Sequence, residues 1–166
     1  MSKYIVLWVE DTPQEIPEFE PLVNKKDIEL KWFDNARDAN HYLETNIEQL
    51  SAAVLDIESY IENGVQDEDE SSFFSVTRKL NELKGRNPVK YFAFTGKGEQ
   101  LRKREKFEKN HNCRVFDKQY EAVKAIKYLE QLVQDHEDYA ILQKYEKAFA
   151  IFECEPPVLD ISLRPQ

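Results

Sequence analysis

The apolar positions of this chain fall into short continuous runs. Between the runs they recur every three or four residues. Tyr4-Ile5-Val6-Leu7-Trp8-Val9, Ala52-Ala53-Val54-Leu55 and Val89-Lys90-Tyr91-Phe92-Ala93-Phe94 read as strands buried on both faces. Ile28 to Phe33 alternates at first, and Arg114 to Asp117 is a short fifth strand. Helical spacing fills the gaps. Ala36, Ala39, Leu43 and Ile47 share a face behind a cap at Asp34 or Asn35. Phe73, Val76, Leu80 and Leu83 share another, between a cap at Ser71 or Ser72 and a stop at Gly85. Thr12-Pro13-Gln14-Glu15 has the form of a capping box, but Pro17 and Pro21 follow. Either that helix is kinked, or a short turn precedes a helix beginning near Pro17. Glu99 to Lys109 is a thinner helix, with Leu101 and Phe107 as its main apolar residues. A fifth begins near Tyr120 and turns Ala122, Ile126, Leu129 and Val133 inward. Strict alternation of strand and helix predicts an α/β fold: a doubly wound, five-stranded parallel sheet with helices on both faces.

Beyond residue 135 the pattern shifts. Ile141, Tyr145, Ala148 and Phe152 keep helical spacing but lie roughly 120° around the axis from the preceding stripe. The shift falls at Gln134-Asp135-His136-Glu137-Asp138, whose aspartates can cap a new helix, and Pro156-Pro157 would end it. This predicts a domain over 1–135 and a C-terminal helical extension and tail over 136–166. An isolated helix of about 15 residues is marginal in water. Its apolar face therefore needs a cover, either a homodimer or partner or its own domain.

Composition narrows the function classes. The chain has 166 residues, of which 41% are hydrophobic and 12% aromatic, enough for a core. Its net charge of −9 argues against wholesale nucleic-acid binding, which needs a basic footprint. A local basic patch does exist at Arg102, Lys103, Arg104, Lys106 and Lys109, and it reads either as a solvated helix face or as a surface for a partner. Cys113 and Cys154 form neither a disulfide framework nor a metal spacing, which suits a reducing cytoplasm. No apolar run approaches the length of a membrane span, and Met1-Ser2-Lys3 enters a strand at once, unlike a signal peptide. Asp67-Glu68-Asp69-Glu70 reads as a solvated loop or as a cation-attracting lip.

Candidate chemistry sits just past the strands. Glu10 and Asp11 follow the first, Asp56 the third, Thr95 the fourth and Lys118 the fifth. Open parallel sheets place ligands at the carboxyl ends of their strands, so these side chains can converge on one edge. Crowded carboxylates suit Mg2+, which prefers oxygen ligands. A carboxylate beside such a cation suggests phosphoryl chemistry, with Asp56 as nucleophile. Lys118 would neutralise one phosphate oxygen and Thr95 would donate to another. As polar groups at strand ends, Thr95 and Lys118 are expected to act on the phosphorylated state more than on the fold. Thr95→Ala is expected to leave the melting temperature nearly unchanged.

The ordered set Val9-Glu10-Asp11, Leu55-Asp56, Thr95-Gly96 and Lys118 resembles the signature of response regulator receiver domains, over roughly residues 3 to 135. The resemblance implies a flavodoxin-like fold and a stand-alone module of two-component signalling that acts through protein–protein contacts. It implies phosphorylation of Asp56 by a histidine kinase or phosphotransfer protein, with Mg2+ held by Glu10, Asp11, Asp56 and the backbone carbonyl of Glu58. On this reading the chain is no enzyme beyond its own phosphorylation and dephosphorylation. It further implies that Thr95 moves toward the phosphate and shifts the fourth helix and fifth strand. The chain departs from the family pattern at Gln119, where proline is usual, and at Val115, where an aromatic is common. The segment after Asp56 is long and acidic, and Glu58 adds a charge beside the phosphate position. The alternative is a pseudo-receiver, a binding module of the same fold that is not phosphorylated. A flavin-type cofactor binder is disfavoured, because Glu10-Asp11 stand where a phosphate-cradling loop would be needed. A metal-dependent phosphatase would share the aspartyl-phosphate chemistry, but no substrate pocket is visible in the sequence.

Overall fold

A computed structural model describes residues 4–12, 14, 16–57, 71–83, 87–96 and 98–151. Five strands, β1 (Tyr4–Val9), β2 (Ile28–Phe33), β3 (Leu50–Leu55), β4 (Lys90–Thr95) and β5 (Val115–Asp117), alternate with helices. The helices are α1 (Ile16–Asn24), α2 (Ala36–Asn46), α3 (Ser72–Leu83), α4 (Gly98–Arg102), α5 (Arg104–His111) and α6 (Ala122–Ile151). Glu58, the acidic run at 67–70, Gly85 and everything from Phe152 onward lie outside the described residues. So do Pro13 and Glu15 of the expected capping box.

All strand pairs are parallel, in the order β2-β1-β3-β4-β5. The chain starts mid-sheet, winds out to β2, then crosses back to β3 and onward. The reversal leaves a crevice at the carboxyl ends of β1 and β3, where such sheets bind ligands.

Side-chain alternation splits the core in two. Val6 and Trp8 of β1, Ala52 and Val54 of β3, and Phe92 and Phe94 of β4 face α1 and α6. There Phe19 stacks on Trp8 at 5.5 Å, and Phe94 meets both rings edge-on. Leu7, Val9, Ala53, Leu55 and Ala93 face the other way, onto Ala36, Ala39 and Leu43 of α2 and Phe73, Val76 and Leu80 of α3. Every residue of β3 is buried, as expected for the central strand.

The helix starts follow local chemistry. Asn35 caps α2, its side-chain oxygen accepting from Asp38 N at 2.9 Å. Of the two options for the first helix, the later start holds: α1 begins at Ile16, with Pro21 inside it. The expected helix over 99–109 is instead two, α4 and α5. Lys103 sits outside helical geometry between them (φ −99°, ψ 11°). A thin apolar stripe leaves little packing to hold one continuous rod. What anchors α5 is Phe107, which meets Phe73 at 5.1 Å.

The break expected at 134–138 is absent. α6 runs unbroken for 30 residues, about 45 Å at 1.5 Å per residue. That stretch holds no glycine or proline. Asp135 and Asp138 do not cap a new helix; they accept from Gln131 (2.7 Å) and Gln134 (3.0 Å) one turn earlier. Tyr4 at the start of β1 donates to Glu137, tying this region to the sheet. The change of apolar face marks where the helix outgrows its own domain. Ala125, Ile126, Leu129, Leu132 and Val133 are buried, whereas Ile141 and Tyr145 are 59% and 51% exposed. Among the described residues, no helix is long and apolar enough to cross a membrane.

Candidate functional site

The ladder continues past the strands and carries the site with it. Glu10 N bonds Phe33 O at 3.0 Å, Asp56 N bonds Val9 O at 2.9 Å, and Lys118 N bonds Thr95 O at 3.1 Å. Three of the polar residues at strand ends are thus held by backbone bonds of the sheet itself. Val9 pairs with Leu55 in register, and Thr95 with Asp117. The crevice therefore receives Glu10, Asp11 and Asp56 from adjacent strands.

Carboxylate oxygens of Glu10, Asp11 and Asp56 lie within 4.8 Å of one another. Glu10 is 1% exposed and Asp56 5%, while Asp11 is half-buried. Lys118 reaches in from the turn after β5. Its ammonium donates to Glu10 Oε2 and stands 3.6 Å from Asp56 Oδ2. The neighbouring backbone helps: Thr12 N donates to Glu10 Oε1 at 3.2 Å, and Thr12 Oγ1 to Asp11 Oδ1 at 3.1 Å. Buried carboxylates are costly unless paired or bound to a cation. Glu10 and Asp56 share the Lys118 ammonium, and the half-buried Asp11 adds a third carboxylate beside them. The donor set is all carboxylate oxygen, the kind that Mg2+ takes, and it fits that ion.

Thr95 closes β4 and is fully buried. It lies out of water rather than on the surface, in register with Asp117 of β5. Gly96 follows; a Cβ built there would meet only Lys118 Cδ, at 3.9 Å. Val115 is buried in the α2–α3 side of the core, so this position is occupied by packing.

Two features of the site escape sequence reading. Trp32 at the end of β2 donates its indole N–H to the backbone oxygen of Glu10 at 2.8 Å. Glu121, just past Lys118, takes a two-pronged contact from Arg104 of α5 at 3.2 and 2.5 Å, and also accepts from Asp117 N at 2.9 Å. Hydrogen bonding to Arg104 holds the Glu121 carboxyl below its usual range, and the same bond raises the Arg104 guanidinium. Neither Arg104 nor Glu121 belongs to a local motif; the packing of α5 beside the turn after β5 brings them together. The basic helix is exposed at Arg102, Lys103, Lys106 and Lys109, with Arg104 turned inward to this contact.

No family model matches the chain, and no curated protein matches it. Solved structures do. A signal receiver domain from Vibrio parahaemolyticus is 15% identical and superposes with a TM-score of 0.65, covering 84% of this chain and 96% of that one. A response regulator receiver domain from Clostridium thermocellum is 12% identical, with a TM-score of 0.60 over 84% and 98% of the two chains. The HemR receiver domain of Leptospira biflexa is 17% identical, with a TM-score of 0.55 over 79% and 94%. The fold of this chain is that of the response regulator receiver domains, with an acidic triad and a lysine at the carboxyl edge of its sheet.

Proposed function

We propose that this chain is a phosphoacceptor signalling module in which Asp56 takes a phosphoryl group from a phosphohistidine of a histidine kinase or phosphotransfer partner. The observation that carries the reading is the convergence of three carboxylates within 4.8 Å, with Lys118 between two of them. Asp56 oxygen attacks phosphorus, the P–N bond of the donor breaks, and its electron pair stays on the imidazole. The product on this chain is an acyl phosphate. Lys118 favours the ionised, nucleophilic form of Asp56 and then neutralises a phosphoryl oxygen. Glu10, Asp11 and Asp56 hold Mg2+, which when bound neutralises phosphoryl charge and orients the group. Thr95 donates its hydroxyl to the phosphorylated state. The exposed basic residues of α4 and α5 offer a surface to a protein partner, and the cytoplasm is the setting such signalling requires.

Incubating the chain with acetyl phosphate and Mg2+ and reading the intact mass tests this. Wild type is expected to gain one phosphoryl group, Asp56→Asn none, and chelation of Mg2+ is expected to stop the gain. Asp11→Asn should need more Mg2+ for the same rate. A wild-type chain that stays unmodified while binding Mg2+ would leave a pseudo-receiver, a binding module of this fold.

A further inference from the structure

Lys118 projects from a four-residue turn, 118–121, between β5 and α6. Four hydrogen bonds hold that turn: Lys118 N to Thr95 O (3.1 Å), Gln119 N to Asp117 Oδ1 (2.8 Å), Glu121 N to Asp117 O (2.8 Å) and Asp117 N to Glu121 Oε2 (2.9 Å). Two of the four use Glu121, one through its backbone and one through its side chain. Its carboxylate is shared with Arg104 through both guanidinium prongs. A bidentate charge-assisted pair is directional as well as strong. It is also partly sheltered: the side chains of Arg104 and Glu121 are 30% and 18% exposed. Arg104 is the first residue of α5, immediately after the helix interruption at Lys103. A continuous path therefore runs from the basic helix surface, through Arg104 and Glu121, to the backbone of Asp117. The next residue along is Lys118, whose ammonium sits between Glu10 and Asp56.

We propose that Glu121, clamped by Arg104, is a positioning residue for Lys118: the pair sets where the ammonium stands in the acidic crevice and couples that position to the α4–α5 surface. Loosening the clamp frees the turn, and Lys118 then leaves Glu10 and Asp56 more often. Displacement of Lys118 by a phosphoryl group pulls in the other direction, on Arg104 and the start of α5. This deepens the function proposed above and rests on it for the phosphoryl step, but the clamp itself can be read without that chemistry.

The experiment uses the full chain, with Glu121→Gln and Arg104→Met, and Arg104→Lys as the conservative variant. Amine acetylation followed by peptide mass spectrometry reads the accessibility of Lys118, whose side chain is only 11% exposed. Lys79 on α3, also partly buried, reports global loosening, and Lys127, exposed on α6, reports reagent strength. Labelling of Lys118 is expected to rise about tenfold in the first two variants, the order expected for loss of one charge-assisted hydrogen bond. Lys79 should be unchanged and Arg104→Lys intermediate. The rate of phosphoryl gain from acetyl phosphate should fall at saturating Mg2+, while the Mg2+ midpoint should shift to lower concentration, because Glu10 and Asp56 lose a competing ammonium. If Lys118 labelling in both variants equals wild type while wild type gains phosphate, the clamp is overturned and the proposed function stands. If wild type gains no phosphate but labelling rises as expected, the function fails and the clamp stands. Loss of the cooperative melt in both variants would make the pair a requirement of the fold and overturn its positioning role.

Discussion

Lys118 makes two buried carboxylates tolerable at once. Glu10 and Asp56 are almost entirely out of water, and their attraction to the ammonium offsets their own desolvation. Removing one partner of a buried pair is costly mainly because of the charge left behind, about 3–5 kcal/mol. Lys118→Met is therefore expected to lose about that much stability in urea titrations without divalent ions. Saturating Mg2+ should return much of the loss, because the cation replaces the missing charge among Glu10, Asp11 and Asp56. A variant equally destabilised with and without Mg2+ would show that the ion does not reach these carboxylates. Trp32 offers a direct optical readout, since its indole is bonded to the backbone oxygen of Glu10.

Among the elements, α6 is the one whose two halves obey different rules. The first half is a core helix: Leu129 is fully buried against β-strand residues of the α1–α6 side. The second half presents Ile141, Leu142 and Tyr145 outward, with Tyr145 meeting Phe149 at 4.6 Å along the same helix. Leu129→Ala should cost about 2–5 kcal/mol, by lost burial plus the cavity it leaves. Ile141→Ala should change the stability of the domain by no more than about 0.5 kcal/mol, as exposed substitutions do. Comparable losses in chemical denaturation of the two variants would mean that the distal half folds as part of the core.

Taken whole, the molecule is a covered sheet with a long helix that carries apolar residues past its own core. If a second copy of the chain covers that stripe, light scattering on the full chain should give a dimer. The double variant Ile141→Asp, Tyr145→Asp should then be a monomer that still unfolds cooperatively, at a melting temperature that no longer rises with protein concentration. A wild type that is monomeric at high concentration sinks the dimer.

Much of this architecture was legible in the order of residues. The five strands announce themselves as apolar runs, and in a parallel sheet every strand ends at the same edge. Polar residues that follow the runs must therefore meet there, which is why Glu10, Asp11, Asp56 and Lys118 group together on the sequence alone. Local chemistry was equally readable: Asn35 caps α2 by a contact three residues long. Other features needed the tertiary structure, because they depend on which distant groups register and turn geometry bring within bonding reach. The bond from Lys118 to Glu10 joins groups 108 residues apart in sequence, and no spacing along the chain announces it. Thr95 was read as a polar group at a strand end and lies fully buried, which its place in the sequence does not reveal. The rotation of apolar face after Val133 looked like a helix break. In the fold it is one helix leaving one environment for another, and periodicity reports the environment of a helix rather than its continuity. Arg104 and Glu121 belong to no motif, and only the packing of α5 beside the turn after β5 makes them a pair.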